Sequence, residues 1–144
     1  MLEMVCVLAI IALLAAVLLP FIPHETSRSR LQAYALQAAT LLKADRDAAI
    51  RRHISVATLV DATGRAIRSG ASPAAIRIPD DVHFDAVLPQ TCQRQAALST
   101  IRFFANGMSC GGTIALARPG MGYEIRVNWL TGGVEIVTQK QKLL

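Results

Sequence analysis

Residues 4–23 contain no charged side chain, and this stretch constrains the chain more than any other feature. At about 1.5 Å per residue, a helix of that length reaches about 30 Å, the depth of a bilayer core. A secretory signal is the competing reading. It would carry a basic start, an apolar core of about 7–15 residues and a small-residue cleavage site. Here no basic residue precedes the stretch, and Phe21-Ile22-Pro23-His24 stands where small residues would be needed. A transmembrane helix over 1–23 is therefore expected.

Two residues in this segment are unusual. Glu3 sits at its edge, and a carboxylate carried toward the bilayer centre costs about 2–3 kcal/mol, so it belongs at the water interface or has a partner. Pro20 removes one helical hydrogen bond and bends the axis, which neighbouring helices can repack in lipid. Charge placement is inverted: Glu3 alone precedes the span, whereas Arg28, Arg30, Lys43, Arg46, Arg51 and Arg52 follow it. Taken literally, this keeps the body of the protein inside the cell. A short basic leader upstream of Met1 would reverse that reading.

With 144 residues, the chain has room for one domain beside the apolar segment, which excludes enzymes with separate cofactor and substrate lobes. Apolar residues make up 53% and charged residues 17%, proportions that exclude disorder and reflect an apolar segment fused to an ordinary globular sequence. The net charge of +5 permits an anionic partner without arguing for one.

The string Leu2-Glu3-Met4-Val5-Cys6-Val7-Leu8-Ala9-Ile10-Ile11-Ala12-Leu13-Leu14, followed by Pro20, resembles the start of type IV pilins and type II secretion pseudopilins. Glu3 falls on the family glutamate and Pro20 on the family proline. The basic leader, its glycine and the phenylalanine and threonine that follow are absent, and Met1 stands where the family usually has an aliphatic residue. Near the C-terminus, Gly111-Gly112-Thr113-Ile114-Ala115-Leu116-Ala117-Arg118 and Gly122-Tyr123-Glu124-Ile125-Arg126-Val127-Asn128-Trp129-Leu130-Thr131-Gly132-Gly133-Val134 are similar to the closing hairpins of the H-type minor pseudopilins, the GspH/FimT group. Asn128 replaces a frequent aspartate, and Gly133 a basic residue.

The resemblance implies a non-enzymatic subunit of a type II secretion pseudopilus, held in the inner membrane with its head in the periplasm. Its partners would be major and minor pseudopilins, inner-membrane lipid and, where a leader exists upstream, a prepilin peptidase that permits N-terminal methylation. Stems would pack through Val7, Ile10, Ile11 and Leu14. Glu3 would pair with the terminal amine of a neighbouring subunit.

Residues 24–53 have helical spacing, with Leu31, Ala35, Ala38, Leu42 and Ala49 on one stripe, and are expected to continue the membrane helix into water. Beyond His53 the period becomes two. Strands are expected at 54–60, 65–68, 75–78, 82–87 and 98–105, with a hairpin turn at Asn106-Gly107 and a last turn at Thr131-Gly132-Gly133. Tyr123, Ile125, Val127 and Trp129 alternate with polar residues, so they should share one buried face. The expected fold is α+β: a long N-terminal helix, its continuation over 24–53, and a small antiparallel β-sandwich-like head over 54–144.

Cys92 and Cys110 bracket the central hairpin and form either a disulfide or two separate buried thiols, whereas Cys6 reads as an apolar filler. No cofactor or metal site is expected. His24, His53 and His83 fall in different elements, and Asp80, Asp81 and Asp85 lack a calcium-loop pattern and read as a solvated turn. No Gly-x-Ser-x-Gly elbow or phosphate loop occurs, which leaves a membrane-tethered periplasmic enzyme as a weak alternative. A stronger alternative is a FimT-like minor pilin binding DNA through Arg65, Arg68, Lys140 and Lys142. Without aromatic residues interleaved for base stacking, nucleic acid is not the expected partner.

Overall fold

A computed structural model describes residues 1–18 and 25–140. Its first helix, α1, spans Leu2–Leu18, and none of its side chains is buried by the rest of the chain. Among the described residues, no helix is long and apolar enough to cross a membrane. The expected span over 1–23 falls partly outside them, as do Pro20 and His24.

The second helix, α2, spans Arg28–Arg52. It does not run on from residue 24 as expected, because residues 25–27 are not helical. Ser27 has extended backbone and its side chain accepts from the Arg30 N–H at 3.3 Å, satisfying one of the free donors of a helix start. At the other end His53 adopts left-handed geometry (φ 55°), and the Ile54 N–H closes on the Ala49 carbonyl at 3.2 Å. Leu31, Ala35, Ala38, Leu42 and Ala49 are all buried. The alanines let the helix axis approach the sheets closely, while the leucines fill the space between layers.

Strands β1 (Val56–Asp61), β2 (Ala66–Arg68), β3 (Ala75–Arg77) and β7 (Thr100–Phe103) form one antiparallel sheet in the order β3-β2-β1-β7. Strands β4 (His83–Val87), β8 (Gly112–Arg118), β9 (Met121–Val127) and β10 (Val134–Gln139) form a second, in the order β10-β9-β8-β4. Between β4 and β7 lies a two-residue hairpin, β5 (Thr91–Cys92) with β6 (Gln95–Ala96). Helix α2 packs on strands of both sheets, and one hydrophobic core joins the three layers. Phe103, Ile67 and Ile101 from the first sheet meet Ile114, Leu116 and Ile125 from the second in that core.

Two hairpin expectations need correction. Asn106-Gly107 does turn the chain, with the Phe104 N–H bonded to the Met108 carbonyl, but only one bridge follows, between Phe103 and Ser109. Strand β8 then pairs with β4 and β9, because Gly111 (φ 80°) and Gly112 (φ 155°) swing the backbone into the second sheet. Trp129 is not in the buried row. Strand β9 ends at Val127, and the Asn128 Oδ1 accepts from the N–H groups of Leu130 (2.8 Å) and Thr131 (3.2 Å). That turn lifts Trp129 out of the sheet and leaves it 63% exposed.

Candidate assembly site

On a 3.6-residue period, Glu3, Val7, Ile10 and Leu14 fall on one face of α1, with Ile11 beside them. All five side chains are exposed, as is the free thiol of Cys6. Glu3 lies in the first helical turn, where the positive end of the helix dipole favours a carboxylate, and it forms no ion pair among the described residues. Along α1 the chain thus presents an apolar surface with one anionic mark at its end, none of it buried among the described residues.

Where the chain enters the head, Asp81 takes a role other than the solvated turn expected for it. Its carboxylate accepts from the Thr26 N–H (2.5 Å) and the Thr26 hydroxyl (2.8 Å). The Thr26 backbone and hydroxyl hydrogen bonds hold the Asp81 carboxyl below its ordinary value of 3.8, and the nearby Arg118 adds to the effect. Arg118 also donates to the Asp81 carbonyl at 2.9 Å and pairs with Glu25 at 3.2 Å. The segment just before α2 is therefore tied to the β3–β4 connection by hydrogen bonds around one carboxylate. No group of His, Cys, Asp and Glu among the described residues is arranged to hold a metal ion.

Asp45, in the middle of α2, is 1% exposed. Its carboxylate accepts from the Thr58 hydroxyl at 2.6 Å, the Ser69 hydroxyl and the Gly70 N–H at 3.0 Å. Those three donors satisfy a charge whose burial would otherwise be costly. They also fix the β2–β3 loop to the helix. The next residue, Arg46, donates to the carbonyls of Gly107 (3.2 Å) and Thr131 (3.1 Å), clasping the turns of both sheets. Sequence reading missed Asp45, although a signal was present: position 45 follows Leu42 by three and precedes Ala49 by four, on the buried stripe.

Cys92 and Cys110 are joined as a disulfide with Cα atoms 5.8 Å apart, fastening the β5–β6 hairpin to the start of β8. Of the basic residues considered for DNA, Arg65 is already engaged. Its guanidinium donates to the carbonyls of Ile78 (3.4 Å), Pro79 (2.5 Å) and Val82. Arg68 and Lys140 are exposed, and Lys142 lies outside the described residues.

Neither a protein-family model nor a curated protein matches the sequence. Solved structures do. The type IV minor pilin FimU of Pseudomonas aeruginosa aligns with a TM-score of 0.58 at 17% identity, over 78% of this chain and 91% of FimU. The minor pseudopilin EpsH from the type 2 secretion system of Vibrio cholerae aligns with a TM-score of 0.55 at 10% identity, over 78% of this chain and 97% of EpsH. Both are named as pilus or pseudopilus components rather than enzymes. The chain therefore has the pilin-like α+β fold, a helix packed on antiparallel sheets, that these two proteins share.

Proposed function

We propose that this chain is a non-enzymatic minor pilin-like subunit and, more narrowly, a minor pseudopilin of a type II secretion pseudopilus. In this reading the inner membrane holds its first helix and the head lies in the periplasm. One observation carries the reading: a head with the fold of FimU and EpsH is preceded by a helix whose apolar side chains are all unburied. In lipid, packing and paired polar groups rather than water exclusion drive helices together, so shape along Val7, Ile10, Ile11 and Leu14 sets affinity and Glu3 sets register. By the resemblance, Glu3 pairs with the terminal amine of a neighbouring subunit. Major and minor pseudopilins are then the partners, and a leader upstream would be removed by a prepilin peptidase.

Replacing Glu3 by Ala tests the mechanism in cells that depend on this gene. Membrane fractionation should be unchanged, while crosslinked filaments should lose the subunit and export should fail. Normal export with normal incorporation overturns the proposal. A second reading, a minor subunit of a type IV pilus, is favoured by the likeness to FimU. Surface pili lost and exoprotein export retained in a deletion strain would select it.

A further inference from the structure

Strand β3 is an edge of its sheet, and hollows lie on both sides of it. On the solvent side, a hollow of about 450 Å³ is bordered by Arg68, Arg77, Gly64 and Ser72. On the other side, a hollow of about 420 Å³ lies between β3 and α2, lined largely by Leu36, Leu41, Ala44 and Ile76.

The register explains why the two hollows differ. Ile76 pairs with Ile67, which is buried, whereas Arg77 pairs with Ala66 and Arg68 with Ala75 on the outward face. Arg68 and Arg77 are thus diagonal neighbours on adjacent strands, about 7–8 Å apart between Cα atoms. Neither is paired with a carboxylate among the described residues.

The main chain at this edge is also available. Ile78 donates to the Arg65 carbonyl and Ser69 to the Ala74 carbonyl, so residues 74, 76 and 78 bond toward β2. By strand alternation, the N–H and C=O groups of Ala75 and Arg77 point away from it. The loop beside them is held in place. Asp45 bonds Ser69 and Gly70, and Arg52 donates to the Ala71 carbonyl at 3.3 Å. A Cβ on Gly70 would come 2.2 Å from the Ala57 carbonyl oxygen, so the loop backbone lies directly against β1.

We propose that this edge captures an extended segment of a partner protein, with acidic residues at alternate positions and an apolar residue between them. The segment adds as a fifth strand beside β3. Its apolar residue, opposite Ile76, enters the hollow against Leu36 and Leu41. Its acidic residues, on the outward face, meet Arg77 and Arg68. Main-chain bonds to Ala75 and Arg77 supply attachment, and the two unlike hollows supply selectivity. The proposal stands independently of the filament reading, since it requires only the head.

The test uses the full chain in neutral detergent micelles and a labelled heptapeptide alternating glutamate and valine between terminal serines, read by fluorescence anisotropy. Binding should be saturable. The same residues with the glutamates in one block should bind at least tenfold more weakly. Arg68→Glu with Arg77→Glu should abolish binding of the glutamate peptide and create binding of a lysine–valine peptide. Ala75→Pro, tolerated on an edge strand, should weaken binding at least tenfold with charge unchanged. Melting curves of each variant matching the parent confirm that the head remains folded. Equal binding of the blocked peptide, no effect of Ala75→Pro in a folded head, or tighter binding of a single-stranded oligonucleotide than of the peptide overturns the proposal.

Discussion

The two helices of this chain solve opposite problems. Every side chain of α1 faces outward, and its apolar surface has no counterpart within the described head. In α2 the apolar stripe is spent on the molecule's own core, and a buried carboxylate fixes the loop beside it. The first helix has no packing partner among the described residues, and in the proposed reading lipid or other subunits supply one. The second is stable because the two sheets cover it. Helices of this size owe most of their stability to packing rather than to propensity, and among the described residues only α2 finds that packing.

This contrast can be broken experimentally, beginning with the largest expected effect. Leu42→Ala, in α2, should destabilise the head by about 4 kcal/mol through a cavity that the layers cannot close. Leu14→Ala, on the exposed face of α1, should leave head stability in detergent within about 0.5 kcal/mol of the parent. Thermal melting followed by near-ultraviolet dichroism measures both. Equal losses would mean that α1 contributes to the core and the contrast is false.

Next in size is the disulfide. Replacing Cys92 and Cys110 by Ser should cost about 3 kcal/mol, the loop-closure value for a sequence separation of 18. Melting with and without reductant should show the same loss in the parent and no reductant effect in the variant. Asp45→Ala should cost about 2 kcal/mol, because the Thr58 and Ser69 hydroxyls and the Gly70 N–H lose their acceptor. Hydrogen exchange at Gly70 should rise more than exchange in β9, which distinguishes a released loop from general loosening.

The smallest effect is a pH dependence at the junction. Thr26 lowers the Asp81 carboxyl below 3.8, so the unfolded state binds the proton more readily. The stabilisation is complete above the ordinary carboxylate range and is lost as pH falls through the lower folded value. Asp81→Asn should therefore melt below the parent at neutral pH, and the gap should close in acid below pH 3.8. A gap that widens in acid would reverse the assignment.

Much of this architecture was legible in one dimension because it depends on local period. The stripe of Leu31, Ala35, Ala38, Leu42 and Ala49 and the final hairpin are patterns that a short segment carries alone. Trp129 misled for the same reason: its spacing continues the row of Tyr123, Ile125 and Val127, but the Asn128 side chain ends the strand first. The break before α2 was hidden because no glycine or proline lies within residues 24–53, the range whose spacing reads as helical. Ser27 and Asp81 make it together, the latter from the far end of a loop.

By itself, the amino-acid order determined that an uncharged segment precedes an α+β head, and that one helical face and alternate strand positions would be buried. Hydrophobic period is a property of neighbours in sequence. Only the tertiary structure decided that the chain crosses between sheets at Gly111 and Gly112, that Asp45 holds the Ser69–Gly70 loop, that Arg65 is consumed by carbonyls, and that β3 is left as an edge between two unlike hollows. Each of these depends on groups far apart in sequence reaching within a few ångströms, and such distances are set by the packed layers.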